Sequence, residues 1–356
     1  MISKIFIFIK DIIKARKDYL YTGNSSTYHI LRFLYFISDG LLLKFIEFFV
    51  NNQKKNKKIF PFYIFNQTST PTYKMLKKIN DEEIYALRDE ITKMKIIENS
   101  SIKADLKFIN NYSKDLNFLN FDYYKKKNIV RLDFDKNQLI HSYVVTNFVK
   151  NFLSPNLIEN TENFFNTELH MLGINSWITL PIPFKNNQSS NANYDSITNF
   201  YDAQQWHRDC DNLRDIKIFI YLTDVNNEND GCFQIIINSN NFTYFSPFKY
   251  RNYRSLRVPN SYIMNKYKLN VHSFFGNKGT NFIADTRALH RGLAITEKKT
   301  RFMLEIYFSN HSLGKDRKLE IKTEHASFNI WKEMINKNYK LYSSLFKKET
   351  LIDLMK

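Results

Sequence analysis

In the stretch Trp206-His-Arg-Asp209 a histidine and a carboxylate stand two residues apart. Side chains of an extended chain alternate between faces, so His207 and Asp209 point the same way and can grip one ion. The spacing alone does not make a site, because a chain with 8 histidines can hold such a pair by chance. A third donor gives it weight. His290 follows the apolar run Asn281-Phe-Ile-Ala-Asp285, and a strand there can deliver its imidazole to the first two groups. Two imidazoles and one carboxylate on one face suit iron(II), leaving adjacent positions open for a bidentate co-substrate and dioxygen. Zinc accepts the same donors, so a hydrolytic metal site is the chemical rival.

Arg301 separates these two readings. It opens the alternating run Arg301-Phe-Met-Leu-Glu-Ile-Tyr-Phe308 shortly after the last of the three donors. A guanidinium carried inside a barrel needs an anion. The distal carboxylate of 2-oxoglutarate supplies one through paired, charge-assisted hydrogen bonds, while the keto-acid end chelates iron. Glu305 shares the strand face of Arg301 by alternation, so it must either pair with an internal cation or sit at the rim.

Strands have to position these residues. Ile216, Ile218, Ile220 and Leu222 form one aliphatic face of a run whose other face carries Lys217, Phe219 and Tyr221, the period-two signature of a sheet buried on at least one side. The turn-forming stretch Asn226–Gly231 leads into Cys232–Ile237, so the two runs are expected to pair as a hairpin. Leu169–Leu180 reads as extended, 185–199 as a polar loop, and short strands follow as far as Ser309. Trp206 and Tyr221 are candidates for the wall of a co-substrate pocket, although aromatic residues beside strands more often belong to the core. Of the remaining histidines, His170 lies where it can point into the barrel; His29, His141, His272, His311 and His325 read as surface or packing residues.

Helices surround this core. The first hundred residues read as helical, most clearly where Ile84, Leu87, Ile91 and Met94 recur after the acidic start Asp81-Glu82-Glu83. A second helical stretch covers 137–151, and Ser154-Pro155 supplies a cap and first-turn proline for another. From about Glu320 to Lys356 the spacing is helical again, with Trp331, Ile335, Tyr339 and Tyr342 as packing residues. The pattern predicts an α+β protein with a mainly β core, a jelly roll with helical N- and C-terminal extensions at 1–100 and 319–356 and the barrel domain at 101–318.

Composition bounds the rest. At 356 residues, 43% hydrophobic, with 32 Phe and 22 Tyr, the chain is far too apolar for disorder. Its net charge of +17 is spread along the sequence, with short clusters such as Lys54–Lys58 and Lys125–Lys127 but no long basic arm or zinc finger. The expectation is a solvated basic surface and no nucleic-acid partner. Two cysteines, Cys210 and Cys232, build neither a disulfide framework nor a metal knuckle, which fits a reducing, cytoplasmic setting. The apolar run Ile5–Ile9 is too short for a signal or transmembrane segment. The amphipathic stretch Leu41–Val50 allows peripheral membrane contact but reads better as a helix packed on the core. The insertion 240–278 carries Lys249, Arg251, Arg254, Arg257, Lys266 and Lys268, which suit either a solvated loop or a lid for an anionic small-molecule substrate.

Taken together, Gln205-Trp-His-Arg-Asp209, Lys217-Ile-Phe-Ile-Tyr-Leu-Thr-Asp-Val225, Asp285-Thr-Arg-Ala-Leu-His-Arg-Gly292 and the strand-leading Arg301 resemble the phytanoyl-CoA dioxygenase-like family of iron/2-oxoglutarate oxygenases. The resemblance covers roughly Met171 to Ser309. It implies a double-stranded β-helix of the cupin-like kind in which His207, Asp209 and His290 bind iron(II) and Arg301 binds 2-oxoglutarate. It also implies a dioxygenase that consumes O2, releases succinate and CO2, and hydroxylates a small molecule. Where the family usually shows a glycine-proline turn and a Gly-Ser-His segment, this chain has Asp230-Gly-Cys-Phe233 and Asn238-Ser-Asn240. Halogenating relatives lack the carboxylate that Asp209 provides here, so hydroxylation or a desaturation-like outcome is expected. The readings from other classes are a metal-dependent hydrolase and a catalytically silent binding barrel.

Overall fold

The structure, a computed structural model, describes residues 73–74, 76–97, 131–165, 167–181, 204–209, 212, 214–237, 239, 257–267, 270–296, 299–310 and 318–356, with scattered positions between 30 and 46. The polar loop 185–199, the lysine clusters, Lys249, Arg251, Arg254, Lys268, Cys210, His29, His311 and most of Leu41–Val50 lie outside the described residues.

In chain order the elements are β1 (Tyr73–Lys74), α1 (Asp81–Thr92), β2 (Ile96–Ile97), β3 (Arg131–Phe134), α2 (Lys136–His141), α3 (Tyr143–Phe152), α4 (Pro155–Phe165), β4 (His170–Thr179), β5 (Asp215–Tyr221), β6 (Phe233–Ile236), α5 (Asn260–Tyr267), β7 (Val271–Phe274), β8 (Asn281–Asp285), β9 (His290–Gly292), β10 (Arg301–Ser309), α6 (Phe328–Lys337), α7 (Tyr339–Tyr342) and α8 (Lys348–Met355). Among the described residues the strands make two antiparallel sheets, one of seven in the order β1-β8-β5-β10-β4-β3-β2 and one of three in the order β7-β6-β9.

Local chemistry explains the helix starts. Asn80 and Glu83 form a reciprocal capping box: the Glu83 amide donates to Asn80 Oδ1 at 2.7 Å and the Asn80 amide to Glu83 Oε2 at 3.2 Å. Ser154 Oγ accepts from the Leu157 amide at 3.3 Å and Pro155 opens α4, where its missing N–H costs nothing. The helical reading of the first hundred residues holds for α1 but missed β1 and β2, which pair with β8 and β3. Among the described residues no helix is long and apolar enough to cross a membrane.

The seven-stranded sheet has an apolar layer on each face. Ile216, Ile218, Ile220 and Leu222 share one core cluster with Phe302, Leu304, Ile306 and Phe308 of β10 and with Leu139, Val149, Phe152 and Trp331 of the helices. Each such isoleucine contributes about 1.5–3 kcal/mol by leaving water. On the other face Trp177, Phe219, Tyr221, Phe282 and Met303 meet Phe233, Ile235 and Phe274 of the smaller sheet, with Phe219 and Phe233 rings 4.9 Å apart.

The expected hairpin between β5 and β6 does not form. Both edges of β5 are taken, by β10 and by β8, so β6 has no ladder to join there. Gly231, at φ 77°, turns the chain towards the smaller sheet, where β6 pairs with β7 and β9. A Cβ at Gly231 would lie 2.8 Å from the Leu293 carbonyl, so glycine is required at that corner. At the C-terminus Trp331, Ile335 and Tyr342 are buried as expected, but Tyr339 is 49% exposed. Helix α6 ends at Asn338, whose side chain caps a new four-residue helix, and this break resets the helical phase.

Candidate metal centre

His207 and His290 reach each other through the backbone. The His207 amide donates to the His290 carbonyl at 3.0 Å, the His290 amide returns the bond at 2.9 Å, and the Asp209 amide donates to the Thr286 carbonyl at 2.8 Å. The segment before β5 thus runs along the free edge of β9. Alternation places His207 and Asp209 on one face, opposite His290, as the spacing led us to expect.

Their side chains converge. His207 Nε2 lies 3.8 Å from Asp209 Oδ1, and His290 Nε2 lies 3.7 Å from Asp209 Oδ2. One ligand atom from each lies within 4.8 Å of the others, and among the described residues no other trio of His, Cys, Asp or Glu side chains comes so close. The far side of each ring is tied down, with His207 Nδ1 2.7 Å from the Gln205 carbonyl and His290 Nδ1 2.9 Å from the Ala288 carbonyl. A carbonyl only accepts, so both Nδ1 atoms carry the proton and both Nε2 lone pairs face inward.

The electrostatics suit ligation. Burial, with the charge of Arg257, lowers the basicity of His207 and, less strongly, of His290, so both rings are neutral donors. Burial alone would raise the Asp209 carboxyl, yet the charge and hydrogen bond of Lys217 hold it well below the usual carboxylate range. Lys217 Nζ sits 2.9 Å from Asp209 Oδ2 and 3.5 Å from Glu305 Oε2, and Asn175 also donates to Glu305. Glu305 therefore pairs inside with a cation rather than resting at a rim. Sequence reasoning placed Lys217 on the correct face but gave it no role, because its partner Asp209 becomes visible only once the segment before β5 is in place. Phe233 stacks on the His290 ring at 5.5 Å and seals that side.

No family model matches this sequence, and no curated protein matches it. Among solved structures the chain is similar to HygX from Streptomyces hygroscopicus with nickel and 2-oxoglutarate bound, at 13% identity over 74% of this chain and 91% of that one, with a TM-score of 0.44. It is also similar to EctD from S. alaskensis with bound Fe, at 12% identity over 69% and 74% of the two chains and a TM-score of 0.40. The non-heme alpha ketoglutarate dependent carbocyclase SnoK from nogalamycin biosynthesis matches at 10% identity over 68% and 81%, again with a TM-score of 0.40. Likeness at this level carries no argument, and the function has to be read from the chain's own residues.

Arg301 lies between the sheets, 5% exposed. Its Nη2 donates to Thr179 Oγ1 at 3.2 Å, while Nε and Nη1 are buried without a hydrogen-bond partner. Burial lowers its basicity, yet a guanidinium keeps its charge under any ordinary condition. The group abuts Gly292, where a Cβ would come within 2.6 Å of Nη2. Gly292 is two residues beyond His290 on β9, hence on the same face and about 7 Å along the strand.

The remaining candidates sort themselves by strand face. Trp206 points away from His207 and Asp209 into a cluster with Ile236, Val258, Ile263 and Leu289. Tyr221 faces the inter-sheet layer, where its hydroxyl donates to the Phe274 carbonyl at 3.0 Å and accepts from the Phe233 amide at 3.0 Å, pinning the two sheets together. His170 contacts Ser344 at 3.3 Å and is not among the converging donors. His141 and His325 stack at 3.8 Å, also away from the centre.

Proposed function

We propose that this chain is an iron(II)- and 2-oxoglutarate-dependent dioxygenase of the phytanoyl-CoA dioxygenase-like kind, hydroxylating a small molecule on a double-stranded β-helix. The barrel reading is supported by the path of the chain: β4, β5, β8 and β10 belong to one sheet, while the 206–207 segment, β6, β7 and β9 line up as the other.

The observation that carries the proposal is Arg301. A buried guanidinium with two unmet donors costs stability unless an anion meets it, and none is supplied by the surrounding side chains that bond it. It lies against the same strand, and the same strand face, that presents His290. A dicarboxylate held by Arg301 and Thr179 at one end would therefore reach the three metal donors with the other. A hydrolytic zinc centre gives this buried cation nothing to do.

The donor set fits iron(II), being two neutral imidazoles and one carboxylate that leave one side of the ion open. His207, Asp209 and His290 would hold the metal. When bound, iron(II) with 2-oxoglutarate would supply the oxidising chemistry, in which O2, 2-oxoglutarate and the substrate become CO2, succinate and the hydroxylated substrate, one oxygen atom entering each of the last two. The chain's own groups bind, orient and exclude water. The Gln205 and Ala288 carbonyls fix the ring tautomers, Lys217 occupies Asp209 Oδ2, and Glu305 balances Lys217. Phe219, Phe233, Phe274 and Phe282 keep the floor of the site dry.

A manganese(II)-loaded sample tests this reading. Titrated with 2-oxoglutarate and with 2-oxopentanoate, which keeps the keto acid but lacks the distal carboxylate, it should bind the first at least about tenfold tighter. Equal affinities would remove Arg301 from the account and return the zinc hydrolase to first place.

A further inference from the structure

A second arginine lies beside the metal donors, on a different flank from Arg301. Val258 bridges Trp206 in antiparallel fashion, its amide donating to the Trp206 carbonyl at 2.8 Å. The antiparallel register then sets Arg257 opposite His207, and His207 in turn is bridged to His290. Arg257, His207 and His290 form one row across three neighbouring extended segments.

Alternation fixes which way the row faces. Trp206 and Val258 both enter the apolar cluster with Ile236, Ile263 and Leu289, so His207 and Arg257 are directed to the opposite side. The electrostatics agree, since the Arg257 charge acts on both imidazoles. The segment is also held in place. Asn260, at the start of α5, accepts from Trp206 Nε1 at 3.1 Å and from Arg291 Nη1 at 2.9 Å, three residues from Arg257. Arg257 is half-buried, with its Nη1 fully enclosed.

The two site arginines approach from different sides. Arg301 meets β9 at Gly292, on the β10 side of the inter-sheet space. Arg257 extends the row beyond His207, away from β9. A co-substrate spanning Arg301 and the metal leaves the Arg257 flank to a second ligand.

We propose that Arg257 is the substrate-recognition residue of this site, and that the substrate carries an anionic oxygen group, a carboxylate, sulfate or phosphate, held next to the metal. This rests on the reading of His207, Asp209 and His290 as metal ligands. It assigns a role to one member of the basic stretch 240–278 and leaves the others aside.

The test uses the full chain loaded with cobalt(II) and saturating 2-oxoglutarate, whose visible cobalt spectrum reports on anions arriving at the open side. Sodium sulfate and sodium acetate are the probes, with sodium chloride as the ionic-strength control. In wild type, sulfate or acetate should produce a saturable spectral change that chloride does not. Arg257→Gln should weaken it by about tenfold to a hundredfold, the loss expected for charge-assisted hydrogen bonds, and Arg257→Lys should recover part of it. The preferred probe tells a tetrahedral oxyanion from a carboxylate. A cobalt spectrum that responds to neither probe overturns the subsite alone, as does a response of equal affinity in wild type and Arg257→Gln, which would mean direct coordination to the metal. Failure of wild type to bind cobalt(II) at all overturns the metal centre and the subsite together.

Discussion

The two faces of β5 and β10 do opposite jobs with the same backbone. One face presents Ile216, Ile218, Ile220, Leu304 and Ile306 to the apolar cluster shared with the helices. The other presents Lys217, Phe219, Tyr221, Arg301 and Glu305 to the inter-sheet space, where Arg301 and Glu305 are buried and Lys217 is half-buried, at some cost. The aliphatic face supplies stability that the charged face consumes. The contrast assigns each side chain a sign: substitutions on the helical face should damage folding and spare the site, and those on the inner face should do the reverse.

The largest effect is expected on the helical face. Ile218→Ala should destabilise the protein by about 2–5 kcal/mol in chemical denaturation, as emptied core positions do, with unchanged metal affinity in the folded fraction. Weakened metal binding in that variant would blur the division between the faces. Next comes Asp209→Ala, which should lower iron(II) affinity by more than about a hundredfold, beyond what losing a supporting partner costs. Calorimetry would read the metal term and thermal melting would show the fold retained.

Arg301→Met sharpens the comparison because it should move two quantities in opposite directions. Affinity for 2-oxoglutarate should fall by tens of fold, the worth of charge-assisted hydrogen bonds at about 1.5–3 kcal/mol. The apoprotein should gain about 1 kcal/mol, since two buried donors no longer go unmet. A destabilised apoprotein would show that the guanidinium serves the fold. The smallest effect is expected from Gly292→Ala. The clashing atoms are the flexible end of Arg301, so the fold should tolerate the methyl group while 2-oxoglutarate binds severalfold more weakly and metal affinity holds.

Much of this division was legible in the sequence. Period-two alternation in 216–222 and 301–308 follows from strand geometry alone; it put Lys217 opposite the aliphatic face and Glu305 on the face of Arg301, but left open whether Glu305 lies inside or at a rim. The spacing of His207 and Asp209 likewise needed only an extended chain. Pairing was harder, because partner choice is non-local. The turn residues 226–231 suggested a hairpin, yet β10 and β8 occupy both edges of β5, and nothing within β5 announces that. The strands β1 and β2 are two residues long and carry no periodicity to detect. Helix α5 hid inside a stretch read as loop, since its apolar pattern is weak and its anchor is a bond that Trp206 Nε1, far away in sequence, donates to Asn260 Oδ1. Trp206, a candidate pocket wall for which a core position was the more ordinary reading, packs in the apolar cluster with Ile236, Val258, Ile263 and Leu289.

The most direct test of the central claim is the visible spectrum of the protein mixed anaerobically with iron(II) and 2-oxoglutarate, for wild type, Asp209→Ala and Arg301→Met. Wild type should show the charge-transfer band of an iron-bound keto acid, Asp209→Ala should lose it, and Arg301→Met should need far more 2-oxoglutarate to develop it. Wild-type protein that binds iron stoichiometrically and shows no band would contradict that claim.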